Sequence, residues 1–454
     1  MTSSGFGIFV LVAALAALLS VAFVRCEGTP PAVEAPETLV VGKAGRTIAL
    51  TVTDSGAGPK SLAAVLVHPK GEAPLVDETL AAGRWLPFGT TTPRSVDLTI
   101  DPKALGVKDG DATLRVTARD HSFRSWGSGN EAVLEIPVRI DFRSPGVSAE
   151  PGIVYARRGG SVALAYRVSE PTVRDGVELG ERFFPGVRIG VDDPAEQRAA
   201  GWRIVLFPLP IDQPDAKPVL IAEDQAGNRG KATPQVNIEE RRVPEALLNL
   251  PPSFLEDKIG ELAEAVDVDP SDRLKAFQEI NTRIRAENEK RIREVTAEST
   301  TTPLWEGAFE QMANSKVTSP FAEQRSYIVN GEKVSESTHY GYDLASLAGS
   351  PVTASNAGRV VFAEELGIYG QCVLLDHGLG LFSLYGHLSS IDVGVGDEVE
   401  KGQTLGLSGQ TGLAGGDHLH FAMLLGGHYV DPVEWWDAKW QRDRLDPKLA
   451  SARQ

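Results

Sequence analysis

From about Glu37 to Asp141, apolar and polar residues alternate in short runs broken by turn residues. Examples are Thr47-Ile48-Ala49-Leu50-Thr51-Val52 and Ala132-Val133-Leu134-Glu135-Ile136-Pro137-Val138. A period of two puts successive side chains on opposite faces of a strand, one buried and one wet. Several such strands with regular turn signals predict an antiparallel β-sandwich.

The pattern then recurs. Gly45-Arg46-Thr47-Ile48-Ala49-Leu50 pairs with Gly160-Ser161-Val162-Ala163-Leu164, and Val116-Thr117-Ala118-Arg119-Asp120 pairs with Leu220-Ile221-Ala222-Glu223-Asp224. The expectation is two tandem immunoglobulin-like modules, 37–142 and 143–241, with one larger β-domain as the alternative. The Asp224-Gln225-Ala226-Gly227-Asn228 turn is similar to the last hairpin of many bacterial surface sandwiches.

Residues 244–297 change period. Ser253 followed by Glu256 has capping-box spacing. Asp269-Pro270 opens a second run in which Leu274, Phe277, Ile280, Ile284, Ile292 and Val295 fall mostly on one helical face, opposite a charged face that includes Arg283, Glu287 and Arg291. An exposed stripe of that kind would be an interaction surface. The segment is therefore a two-helix connector packed on a neighbour, or a latch over an active site. From Pro303 onward glycine-rich strands return, with a hairpin turn at 396–403. The fold class predicted is mainly β: two sandwiches, a helical connector, and a C-terminal antiparallel β-sheet domain over 303–437.

The N-terminus differs from all of this. Gly5 to Val24 carries no charge and is rich in Leu, Val, Ala and Phe, long enough to cross a hydrocarbon core of roughly 30 Å. Residues 1–25 are expected to be a membrane anchor, with a cleavable signal as the alternative; the bulk of the chain would then lie in the cell envelope, in the periplasm or otherwise outside the cytoplasmic membrane. Arg25 on the C-terminal flank runs weakly against that orientation. The formal charge of −16 comes without a basic run, which argues against nucleic acid as a partner. Two cysteines, Cys26 and Cys372, cannot build a disulfide framework.

Six of the eight histidines lie after residue 338. His339-Tyr340-Gly341-Tyr342-Asp343 places two donors four apart, on one face if the strand is extended. Tyr385-Gly386-His387-Leu388 follows, then His418-Leu419-His420. Catalytic zinc takes three protein ligands from His, Asp or Glu and leaves a position for water. His339, Asp343 and one of the last pair meet that need. His377 is expected to be a structural turn residue, and His428 to lie on a surface turn; His68 and His121 belong to the sandwiches.

Together these segments resemble the lysostaphin/LytM-type metallopeptidases: His-x-x-x-Asp, Tyr-x-His-Leu, and His-Leu-His-Phe after a glycine-rich turn, with Asp376-His377-Gly378-Leu379-Gly380 and the 396–409 stretch also fitting. The resemblance covers roughly 305–436. It implies Zn2+ held by His339, Asp343 and His420, with His387 and His418 as the catalytic pair, and hydrolysis of peptide bonds in peptidoglycan. Two other outcomes stay open: a non-catalytic wall-binding or activator protein for other wall hydrolases, and a zinc peptidase acting on proteins rather than on wall. The sandwich modules and the connector are candidate surfaces for a protein partner. Asp417 and Ala422 depart from the family pattern, Asp417 where hydroxyl residues are frequent and Ala422 where a glutamate is common.

Overall fold

The computed structural model describes residues 9–17, 19–20, 26–80, 92–213 and 215–454. The predicted anchor, 1–25, lies largely outside them. Its residues 9–17 and 19–20 are helical, and among the described residues no helix is long and apolar enough to cross a membrane. The fold is mainly β with no closed barrel. It divides into two compact units, residues 1–144 with 223–229, and residues 145–222 with 230–454.

In the first unit two sheets enclose one core. One runs in the order Ala32–Glu34, Arg46–Thr53, Arg94–Ile100; the other in the order Leu39–Val41, Glu131–Ile140, Gly110–Asp120, Pro59–His68, Gly71–Thr79. The alternation is realised residue by residue. Ile48, Leu50 and Val52 point inward from one sheet, and Leu62, Ala64, Leu66, Leu114, Val116 and Ala118 from the other. The repeat seen in sequence also has a structural counterpart. The Asn130 N–H donates to Asp120 Oδ1 at 2.8 Å and its amide to Oδ2 at 2.8 Å. Asn228 clasps Asp224 in the same way at 2.9 and 3.0 Å.

The second unit is built in layers around an antiparallel sheet. Its strand order is Lys316–Ser319, Tyr342–Ala345, Leu419–Leu425, Leu381–Leu388, Gln371–Gly378, Gly358–Glu365, Glu398–Val399, with His428–Val430 paired to Leu419–Leu425. The central strands are buried along their whole length, because both faces are covered. On one face Leu381, Tyr385, Phe421 and Met423 meet Ala163, Ala165, Ile204 and Leu206 of the second sandwich-like region. Strand Ser161–Val168 is in turn buried on two sides: Val162, Leu164 and Tyr166 face its own core, while Ala163 and Ala165 face the sheet. On the other face Phe362, Leu374, Phe382, Leu384 and Leu424 meet Phe277, Ile280, Ile284 and Ile292. The apolar stripe thus packs on the C-terminal sheet.

Several expectations for this unit need correction. Residues 244–297 are not helical from the start: Glu245–Asn249 is a strand, parallel to Glu323–Val329. Ser253 makes no side-chain capping bond, and the cap of the second helix is Asp272, whose carboxylate accepts from the Lys275 N–H at 3.1 Å. That helix continues as Arg273–Glu279, a π-helical turn Ile280–Ile284, and Arg285–Val295. The chain also stays helical beyond 437, through Asp446–Ala452, whose Leu449 and Ala452 join the core under the sheet. His377 is a fully buried residue of strand Gln371–Gly378, held by the Ala357 carbonyl and Ser383 hydroxyl at 2.7 Å each. Burial pulls it down to about 4. His428 begins strand His428–Val430 and packs edge-on to Phe184 at 5.8 Å.

Candidate active site

His339 and Asp343 do not share one strand. His339 ends Glu332–His339, which pairs with Glu323–Val329; Asp343 lies in Tyr342–Ala345, in the main sheet. The break at Tyr340-Gly341 carries the chain from one sheet to the other, and the two side chains still converge. Asp343 is the registered neighbour of His420. Across the sheet His420 faces Gly386, which has no side chain to crowd it.

The resulting contacts form a triangle. His339 Nε2 is 2.9 Å from Asp343 Oδ1 and 3.0 Å from His420 Nδ1, and His420 Nδ1 is 3.1 Å from Asp343 Oδ1. All three residues are buried. Two of the three donors are oriented from behind. His339 Nδ1 lies 3.0 Å from the Pro320 carbonyl; a carbonyl only accepts, so Nδ1 carries the hydrogen and Nε2 the lone pair. Arg325 holds the other Asp343 oxygen at 2.7 Å. Burial alone would raise the Asp343 carboxyl, but His339 and the other imidazoles outweigh it and hold it well below the carboxylate range. Burial pulls His420 down to about 4, which favours the neutral imidazole that a metal requires.

Tetrahedral zinc at about 2.0–2.2 Å from its donors needs donor separations of roughly 3.3 Å. The edges of 2.9–3.1 Å, with two imidazoles and a carboxylate as donors, fit such an ion without rearrangement of the backbone.

His387 and His418 complete the cluster. Alternation along Leu381–Leu388 would put His387 on the opposite face, with Leu381, Ser383 and Tyr385. Two features turn it round: a register shift where Gln371–Val373 pairs with Tyr385–Leu388, and a left-handed backbone at His387, φ 65°. A bulge re-aims a side chain in this manner, and a left-handed backbone at a non-glycine residue is a strained one. The His387 ring then stands 4.8 Å from that of His418 and 5.8 Å from that of His420. Its Nδ1 donates to the Thr411 carbonyl at 2.9 Å, and His418 Nδ1 to the Gly416 carbonyl at 2.8 Å, leaving Nε2 of each as the working atom. His418 Nε2 is 3.5 Å from Asp343 Oδ1. Burial and then the neighbouring imidazoles hold His387 well below its ordinary value; burial also acts on His418, but Asp343 outweighs it and raises it.

These groups sit in a groove of about 370 Å³, walled by Leu248, Phe254, Tyr327, Tyr369 and Leu413 and by the polar Arg285, Ser337 and Thr338. All five histidine and aspartate positions singled out in sequence line it. Arg325 and the wall from 248–254 carry no recognisable sequence signal, because one is a lone arginine in a strand and the other an ordinary apolar run. The departures from the family pattern are accounted for locally. Asp417 points away from the cluster, taking the Ser408 hydroxyl at 2.6 Å and the Gly349 N–H at 3.1 Å; Ala422 is buried under the helical cover.

Fold and site together point to one class of protein, and comparison with known proteins agrees. Residues 337–432 match the model of Peptidase family M23. Over 124 residues the chain is 34% identical to the DD-carboxypeptidase/endopeptidase Mpg of Neisseria meningitidis serogroup B, covering 27% of this chain and 28% of that protein. It is 38% identical over 96 residues to the peptidoglycan DD-endopeptidase ShyA of Vibrio cholerae, 21% of this chain and 22% of that one. It is also 38% identical over 95 residues to the murein hydrolase activator EnvC of Escherichia coli, 21% and 23% respectively. The chain therefore spans about a quarter of the length of these relatives.

Proposed function

We propose that this chain is a zinc-dependent endopeptidase that hydrolyses peptide bonds in peptidoglycan stems or cross-bridges. One observation carries the proposal: a buried two-imidazole, one-carboxylate triangle with two further imidazoles presenting Nε2 to it in one groove. The name of ShyA supports the substrate class and that of Mpg the endopeptidase reaction. His339, Asp343 and His420 would hold the ion, which when bound lowers the pKa of a water and polarises a carbonyl. Arg325 and the Pro320 carbonyl fix the orientation of two of those ligands, as outer partners of metal ligands do. His387 and His418 are assigned to the chemistry. One imidazole takes the proton of the attacking water, and the other, when protonated, donates to the developing oxyanion. Their fixed tautomers mean neither ring has to reorient during the reaction.

The test is dye release from labelled wall by the purified chain, with and without chelator, followed by mass spectrometry of the muropeptides. Chelator-sensitive release with peptide-bond products is expected. A zinc-loaded chain that releases nothing would instead support a non-catalytic activator, the role named for EnvC. Variants separate the roles. His339→Ala, Asp343→Ala or His420→Ala should lose both zinc and activity. His387→Ala or His418→Ala should keep nearly stoichiometric zinc and lose activity on the order of 10²–10⁴-fold. Zinc lost in His418→Ala but kept in His420→Ala would reverse the pair.

We also infer an envelope location, with residues 1–25 as anchor, from the uncharged Gly5–Val24 stretch and a wall substrate. The protein should fractionate with membranes, and residues 37–454 should be open to protease added outside the inner membrane; protection of that region would reject the topology. We take 37–142 and 143–241 as the sandwich modules, 244–297 as the connector, and 303–437 with the helices that follow to Ala452 as the C-terminal domain.

A further inference from the structure

Far along the chain from the histidines, three carboxylates converge at one end of the first sandwich. They are Glu27, just after the N-terminal segment, Asp54 after strand Arg46–Thr53, and Asp120 at the end of Gly110–Asp120; one oxygen from each lies within 4.8 Å of the others. Asp54 is 4% exposed and Asp120 0%. Among the described residues none of the three has a lysine or arginine partner. Asp54 Oδ2 accepts the Gly58 N–H, whereas Oδ1 is buried with no hydrogen-bond partner. An ionised oxygen in that position is costly unless something positive faces it.

The surrounding donors are neutral: the Thr29 N–H on Glu27 Oε2 at 2.7 Å, and the Ser122 and Asn130 N–H groups on Asp120 Oδ1 at 2.9 and 2.8 Å. The Asn130 amide nitrogen faces Asp120 Oδ2 at 2.8 Å, Glu27 Oε1 and the Glu27 carbonyl at 3.1 Å each, and the Thr29 carbonyl at 3.4 Å. An amide NH2 has two hydrogens, so four oxygens crowd a group that can satisfy two. The turn at 224–228, which belongs to the same unit, supplies an internal control. There the Asp224–Asn228 clasp has the same two bonds, at 2.9 and 3.0 Å, and among the described residues no further carboxylates gather on it. The extra acids of the first module are therefore not needed to hold the turn. Burial first, and then the neighbouring carboxylates, push Glu27 and Asp54 upward, the repulsion that a cation in their midst would remove.

We propose that Glu27, Asp54 and Asp120 form a calcium site that ties the exit of the N-terminal segment to the first sandwich. The donors are all hard oxygens without imidazole or thiolate, which selects against zinc. The half-exposed Glu27 leaves one side open to water, which suits the flexible coordination of calcium better than the strict octahedron of magnesium.

Equilibrium dialysis of calcium and terbium luminescence on the full chain in detergent test this. Calcium should bind with a Kd of about 10⁻⁴–10⁻³ M, the range of extracellular modules, and terbium emission, with Trp126 near in sequence as sensitiser, should be displaced by calcium. Glu27→Gln, at a partly exposed position, and Asp54→Asn should each weaken binding about tenfold or more, since charge count tunes such sites; His339→Ala should leave it unchanged. The proposal is overturned by no uptake at roughly 10 mM calcium, ten times the weak end of that range. It is equally overturned by unaltered binding in both carboxylate variants, by loss of binding in His339→Ala, or by magnesium binding as tightly as calcium.

Discussion

Gly341 lies between His339 and Asp343 of the His-x-x-x-Asp motif, and its lack of a side chain is what lets His420 approach them. A Cβ there would stand 2.6 Å from His420 Cε1 and 2.7 Å from the Phe421 carbonyl oxygen. The ring can move but the backbone oxygen cannot, so Gly341→Ala must displace His420 or spread the strand pair. Zinc content should fall, and activity should drop on the order of 10²-fold, the scale of a small misplacement at a reacting centre; wild-type zinc and rate would show that the space is slack. Arg325 acts from the opposite side. In Arg325→Gln the second Asp343 oxygen loses its charged partner, 2.7 Å away, and zinc affinity measured by chelator competition should weaken about 10–100-fold. Unchanged affinity would mean that Asp343 is oriented by its strand alone.

The element that decides how open the groove is lies outside the matched region. The run 273–295 buries its apolar stripe on the sheet, and it also closes a strand edge. The Gln278 amide donates to the Val334 carbonyl at 2.8 Å and the Asn281 amide to the Glu336 carbonyl at 3.1 Å, so the outer side of Glu332–His339 is not left as an unpaired template. Upstream, Leu248 and Phe254 wall the groove, and Lys258 Nζ reaches the Gln410 carbonyl at 2.7 Å. The segment is thus cover and wall at once. A chain beginning near Thr302 should not simply be freed: it uncovers Phe362, Phe382 and Leu424 and should be less stable and aggregation-prone. A soluble, fully active chain from Thr302 would contradict this. Phe277, 0% exposed and 5.0 Å from the ring of Tyr327 in the groove wall, couples cover to site. Phe277→Ala should cost about 3–5 kcal/mol in chemical denaturation.

At the scale of the molecule, the second sandwich-like region and the C-terminal sheet share one core, and a titratable group lies at their seam. Glu434 accepts the Ser161 N–H at 2.6 Å, and burial pushes its carboxyl up to about 7. A carboxyl with a raised folded-state value keeps its proton in the native state after the unfolded chain has lost it. Stability from this group is therefore complete below about 4.5, falls as pH rises toward about 7, and is level above that. Glu434→Gln keeps an acceptor for Ser161 and removes the charge. It should raise the stability of this unit by about 1–2 kcal/mol at pH 8 and change little near pH 4. A variant whose thermal midpoint tracks the wild type across that range would show that the carboxylate is well solvated.

Sequence by itself determined the strand-rich class and the helical stripe, and it singled out the five histidine and aspartate positions that the structure brings into one groove. Each is written in a local period or in a short ordered motif. What it could not determine were the contacts made at long range. His339 and Asp343 meet because the chain changes sheets at Tyr340-Gly341, and His387 arrives on their face through a bulge and a left-handed residue that invert the simple alternation. Strand Glu245–Asn249 was hidden because five residues beside a helical stripe have no period of their own, and it exists only by pairing with Glu323–Val329. The Glu27–Asp54–Asp120 cluster was equally invisible, since its members are spread over almost a hundred positions and meet only when the sandwich closes. Local periodicity names the elements and the chemistry; register, backbone handedness and packing decide which side chains face one another.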